Sequence, residues 1–154
     1  MNQFIVKAQS GIWLGTNNAV SLPPGRFINT STGGYLSTAG AWTNSSDAAL
    51  KENYTPLDRH DILERVAALT ITRWNYKADP TTVSHIGPTA QDFHAAFGVG
   101  NDNVTISTID PSGVALAAIQ ALYEQQQSEN EQLREQIAEL RELVRGLIEN
   151  RTQR

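Results

Sequence analysis

The sequence has no cysteine among its 154 residues, and that absence removes several chemistries at once. Disulfides, thiolate-held zinc and a cysteine nucleophile are excluded, while the redox compartment stays open. Positive charge is scarce as well. Lysine occurs only as Lys7, Lys51 and Lys77, and the net charge is −4. No basic stripe forms, so binding of nucleic acid through phosphate neutralisation has no footing. No apolar run approaches the roughly 20 residues of a membrane span, and the first residues lack the basic-then-apolar pattern of a signal peptide. His60, His85 and His94 have no metal-ligand spacing, and there is no phosphate loop, HExxH or EF-hand pattern. The expectation is a protein with no cofactor, no metal, and neither a nucleic-acid nor a membrane partner.

What is present falls into three regions. Residues 1–45 carry few charges and are rich in Gly, Ser, Thr and Asn. Short apolar alternations (FIVKA, GIWLG, RFINT, GYLSTAGAW) are separated by Pro23, Pro24, Gly25, Gly33 and Gly34, which reads as short strands joined by tight turns. Strands this short bury little surface within one chain and are expected to lean on neighbours.

Residues 46–113 read as a compact α+β body. Asp58 caps a helix with Ile62, Leu63, Val66 and Leu69 at helical spacing. TITRWNYK alternates as a strand, HIGP is a turn, and Thr89 caps a second helix that Gly98 stops. NVTISTI reads as another strand, and DPSG as a closing turn.

Residues 114–154 read as one long helix, a rod on the order of 50 Å. Leu116, Ile119, Tyr123, Gln126, Asn130, Leu133, Ile137, Leu140, Val144 and Leu147 follow in alternating steps of three and four. That is a heptad seam, with Gln126 and Asn130 as polar interruptions that can fix register. Ile137/Leu140 and Val144/Leu147 favour two strands, whereas Leu143 and Ile148 widen the apolar face toward three. Periodicity alone leaves dimer and trimer open.

Ser46 and Lys51 stand where the first region gives way to the second. A lysine can activate a serine hydroxyl, but only as the neutral amine, so it has to be desolvated. Ala48, Ala49 and Leu50 favour that shift; Asp47 and Glu52 oppose it if they face the lysine. A strand would hold side chains five apart by about 16 Å, and a helix would turn them about 140° apart. A turn must therefore fold Lys51 back, or the partners must come from different chains. Spacing alone carries little weight.

Four segments add more: SDAALKEN (46–53), LTITRWNYK (69–77), HIGPTAQDFHAAFG (85–98) and DPSGVALAAIQAL (110–122). Together and in this order they resemble the intramolecular chaperone auto-processing domain that ends phage tail spikes, tail fibres and some bacterial surface proteins. The resemblance implies a homotrimer whose chaperone segment brings three chains of an upstream fibre into register and then cuts itself off. It makes Ser46 the nucleophile, Lys51 the general base and Ser45–Ser46 the scissile bond, with Asn53 and His85 as supporting positions. Residues 1–45 become the end of a β-rich stalk, and the C-terminal helix a trimeric coiled coil. Two positions depart from the family pattern: Ala49 where a basic residue is frequent, and Tyr54 where a smaller aliphatic is usual. The alternative expectation is a trimerisation cap that never cuts. Tail-fibre or tailspike assembly in the bacterial cytoplasm and display on a bacterial surface are both compatible with this segment.

Overall fold

A computed structural model describes residues 6, 8–16 and 23–152. It is an α+β chain with two small sheets and one long C-terminal helix, dividing into two compact units, Met1–Pro56 and Leu57–Arg154.

The first unit is a four-stranded sheet in the order β1 (Ile12–Leu14), β2 (Arg26–Thr30), β3 (Tyr35–Ser37), β4 (Trp42–Thr43). Strands β1 and β2 run parallel, with Trp13 opposite Asn29; the other pairs are antiparallel. The β2–β3 turn is tied by Thr30 N to the Gly34 carbonyl at 3.0 Å and by the Thr30 hydroxyl to the same oxygen at 2.7 Å. Gly33 sits in it at φ +87°, a conformation that glycine adopts without steric cost. Arg26 lies over the Tyr35 ring at 4.0 Å, a cation–π contact across the strand pair. The Asn29 amide is buried and makes no hydrogen bond among the described residues, nor does the Trp13 indole N–H. Leu14, Phe27 and Trp42 stay about half exposed, as expected of strands too short to close a core alone. The strand expected over FIVKA lies largely outside the described residues.

The second unit contains α1 (Arg59–Ala68), β5 (Thr72–Trp74), β6 (His85–Gly87), α2 (Ala90–Phe97) and α3 (Asp110–Thr152). The Asp58 carboxylate caps α1 by accepting from the backbone N–H groups of His60 and Asp61, and the Thr89 hydroxyl caps α2 through Asp92 N. Gly98 ends α2 in the left-handed region at φ +63°. The core is the seam between α1 and α3. Ile62 packs against Ala117 and Ala118, flanked by Leu63, Val66, Phe97 and Val114. Alanines on α3 let the two helices approach closely, and Ala121 has no exposed surface at all. Arg59 reaches Glu124 at 2.8 Å at the rim, where both side chains remain solvated and the pair contributes at most about 1 kcal/mol. Arg65 bridges α1 to α2 through the Ala96 carbonyl at 2.7 Å.

Three expectations are corrected here. HIGP is not a turn: His85, Ile86 and Gly87 form β6, pairing antiparallel with Trp74, Arg73 and Thr72, and Pro88, which has no N–H to give, ends the strand. That pairing also confines the TITRWNYK strand to Thr72–Trp74. NVTISTI is not a strand, because the Asp102 carboxylate claims the Val104 and Thr105 N–H groups and folds the chain into a local turn. DPSG does not close the body but opens α3, four residues earlier than expected. Pro111 falls in the first helical turn, where a missing N–H costs nothing.

Helix α3 is 43 residues long, about 65 Å at 1.5 Å per residue. Its alanine face is used by α1, whereas the heptad seam is not used within the unit. Leu116, Ile119, Tyr123, Leu133, Ile137, Leu140, Val144 and Leu147 are all exposed.

Candidate active site

The connection leaving β4 carries Ser45, Ser46 and then a single 3-10 turn, Ala48–Leu50. Asp47 starts the turn because its carboxylate accepts from Ala49 N at 2.9 Å, replacing a bond the first turn cannot make for itself. Two consecutive short-range bonds close it, from Leu50 N to the Asp47 carbonyl and from Lys51 N to the Ala48 carbonyl, both 3.1 Å. Lys51 then leaves the turn in an extended conformation. Its side chain returns over the turn, and Nζ donates to Ser46 Oγ at 2.7 Å. A turn with three residues per repeat brings together two positions that neither a strand nor an α-helix would.

The next residues brace this geometry. Asn53 has φ +56°, the one left-handed non-glycine residue among the described residues. Asparagine tolerates that region better than most side chains, and such a conformation tends to persist only where the surroundings enforce it. Tyr54 directs its hydroxyl to the Ala48 carbonyl at 3.4 Å, a long hydrogen bond on the back of the turn. Asp47 and Tyr54 were not among the expected site residues. An Asp that opens a short apolar triplet is the usual sign of a capped turn, but nothing in the spacing of Tyr54 announces its contact.

Chemically, the pair has the reach required of a nucleophile and its base. An ammonium donates along this line; a neutral amine would accept the serine proton along the same line. Ser46 and Lys51 are both exposed within the single chain, so the chain alone does not exclude water from them.

His85 belongs to the second unit. On β6 its ring stacks with Trp74 at 4.9 Å and meets Tyr76 at 5.5 Å, while Trp74 and Tyr76 touch edge to face at 4.9 Å. The three rings touch one another in a triangle on the β5–β6 hairpin, which gives His85 two aromatic packing partners.

Residues 46–99 match the model of the Peptidase S74 family, described as the chaperone of endosialidase. Over this segment the chain is similar to the intramolecular chaperone domain of phage tail proteins. The match to the chaperone of endosialidase opens on Ser46, the hydroxyl that Lys51 holds, and runs through α1, both hairpin strands and α2. The family carries a peptidase's name as well as a chaperone's. No curated protein sequence matches the chain.

Proposed function

We propose that this chain is the chaperone end of a tail-fibre or tailspike-like protein, driving homotrimer assembly and then releasing itself by cutting Ser45–Ser46. The observation that carries the reading is the 2.7 Å contact between Lys51 Nζ and Ser46 Oγ at the first residue of the family match. The organisation that goes with it is a stalk end over residues 1–45, a chaperone body from Ser46, and a coiled coil along α3.

The chemistry balances as follows. A neutral Lys51 takes the proton from Ser46 Oγ, which attacks the carbonyl carbon of Ser45. The C–N bond breaks as Lys51 returns the proton to the Ser46 nitrogen, leaving Ser45 esterified to the Ser46 hydroxyl. Water, deprotonated by the same amine, hydrolyses the ester. The products are a Ser45 carboxylate and a fragment beginning at the Ser46 amine, with Ser46 and Lys51 regenerated but severed from their substrate. One chain cuts once. Asn53 supports the turn through its left-handed backbone, and His85 supports the body through its ring cluster.

Assembly enters through the unused seam. A row of exposed Leu, Ile and Val along α3 contributes about 1.5–3 kcal/mol per side chain when neighbouring helices cover it. Three helices accommodate the wide face made by Leu143 and Ile148. Assembly also supplies what the single chain lacks, since packing of neighbours around the turn excludes water and favours the neutral amine. Cleavage would thereby report a correctly assembled stalk.

Intact mass spectrometry of the chain made in bacteria, beside Ser46→Ala and Lys51→Ala, tests the reading. The expected result is a fragment running from Ser46 to Arg154 in the wild type only. Identical full-length masses for all three overturn it.

A further inference from the structure

Ser45, the residue ahead of the cut, is half-buried although Ser46 beside it is exposed. The β2–β3 turn lies against it. A Cβ built on Gly33 would stand 3.2 Å from both Cβ and Oγ of Ser45, tighter than nine in ten real Cβ contacts. The turn is a firm surface. Gly33 N donates to the Thr30 carbonyl at 3.2 Å, and Thr30 holds Gly34 twice. On the strand side the fit is looser, and a Cβ on Gly34 would make ordinary van der Waals contact with the Trp42 ring at 3.5 Å and the Thr43 carbonyl at 3.6 Å. Register fixes the strand, with Tyr35 opposite Thr43 and Leu36 opposite Trp42. Between strand and cut, the Trp42 indole N–H donates to Asn44 Oδ1 at 3.0 Å.

We propose that Gly33 is a positioning residue for the cleavage, and that the β2–β3 turn is the wall on which Ser45 is seated. This rests on the reading that Ser45–Ser46 is cut. A hydroxyl attacking the carbonyl directly before it must close a small ring, so the rotation of the Ser45 peptide group decides whether reaction occurs. Seating the Ser45 side chain against a residue without a Cβ fixes that rotation from the stalk side, while the 3-10 turn fixes Ser46 and Lys51 from the other. The same contact restricts the position ahead of the cut to a small side chain. The substrate half of the site is then built by the folded sheet rather than by the residues that match the family.

The test follows conversion of the full chain by intact mass over time. Gly33→Ala adds the Cβ contact together with the strain of a side chain at φ +87°; Gly40→Ala adds the same strain at φ +84° with no atom within 4 Å. Gly40→Ala is expected to cut near the wild-type rate, and Gly33→Ala about tenfold to a hundredfold more slowly, the range a misplacement of ~1 Å produces. Adding Ser45→Gly to Gly33→Ala reopens the space and should restore most of the rate, whereas Ser45→Leu alone should slow cutting as Gly33→Ala does. Equal rates for the two glycine variants overturn the proposal while leaving the cleavage reading intact. Should Gly33→Ala fail to fold, Ser45→Leu decides, and cutting at the wild-type rate overturns it. A wild-type chain that stays whole, as Ser46→Ala does, overturns the cleavage reading and this inference with it.

Discussion

Lys51 Nζ donates to Ser46 Oγ at 2.7 Å across five residues, and the turn that closes this span is capped by Asp47. The cap rests on one carboxylate oxygen of Asp47. Asp47→Ala removes it, and loss of a cap costs about 1 kcal/mol, enough to slow cleavage roughly fivefold if the closed turn limits the rate. Asp47→Asn keeps the oxygen. It is expected to cut near the wild-type rate. Rates from intact-mass time courses check both, and an Asn variant as slow as the Ala variant would show that the carboxylate acts in some way other than as a cap.

How far the sequence disclosed this arrangement depends on how local each signal was. Asp58, Thr89 and Gly98 were legible as helix ends because a cap is decided by residues within one turn of it. The heptad seam was legible because periodicity accumulates over ten positions. HIGP was misread because β6 exists only through its pairing with Thr72–Trp74, more than ten residues away, and its glycine and proline look like turn signals in isolation. NVTISTI has the composition of a strand, yet strand formation needs a partner, and Asp102 had taken the N–H groups first. At the site, Ser46 and Lys51 were singled out by resemblance. The 3-10 turn between them, the Tyr54 contact and the Gly33 wall required coordinates, since each depends on backbone direction rather than on spacing.

Leu116 and Ala117 adjoin in α3 but serve opposite surfaces, at 65% and 8% exposure. Ala121, fully buried one turn beyond Ala117, therefore tolerates no enlargement. Ala121→Leu is expected to overpack the α1–α3 seam and cost about 1–3 kcal/mol. Leu140→Ala, on the exposed seam, should leave the α1–α3 packing untouched and weaken association instead. Denaturant unfolding of each in the uncut Ser46→Ala chain, read at several protein concentrations, separates the two. A concentration-dependent loss for Ala121→Leu alone would contradict this division of faces.

The loop before α3 carries a pH dependence. Asp102 accepts from Val104 N at 2.9 Å, from the Thr105 hydroxyl at 2.8 Å and from Thr105 N at 2.7 Å, and these bonds hold its carboxyl below the usual carboxylate range. A depressed folded-state pKa means that the stabilisation is complete above the unfolded value of about 3.9 and disappears as pH falls through the lower folded value. Asp102→Asn removes the titration. The variant should be less stable than the parent near neutrality, with the difference narrowing as the pH drops below about 4. Thermal unfolding of the Ser46→Ala chain with and without Asp102→Asn, across that interval, measures it; a constant offset at every pH would mean the loop does not sense the charge.

Assembly and cleavage are the two ends of the proposed function. The turn already brings Ser46 to Lys51 within one chain, so assembly is not needed to form the contact, only to exclude water from it. Ile137→Asp with Leu140→Asp puts two charges into one heptad of the seam, far along α3 from the alanines that pack on α1. Buried in a helical interface, two unpaired carboxylates cost more than the apolar contacts they replace. Sedimentation equilibrium should show a trimer for the Ser46→Ala parent and monomers for the doubly substituted chain, while circular dichroism retains the helical signal of α1 and α2. In the cleavable background the same pair of substitutions should leave the chain whole. A monomer that still cuts would mean that the turn alone supplies the neutral amine, and that trimer assembly acts on the stalk without licensing the chemistry. A dimeric parent would contradict the fibre reading, whatever happens at Ser46.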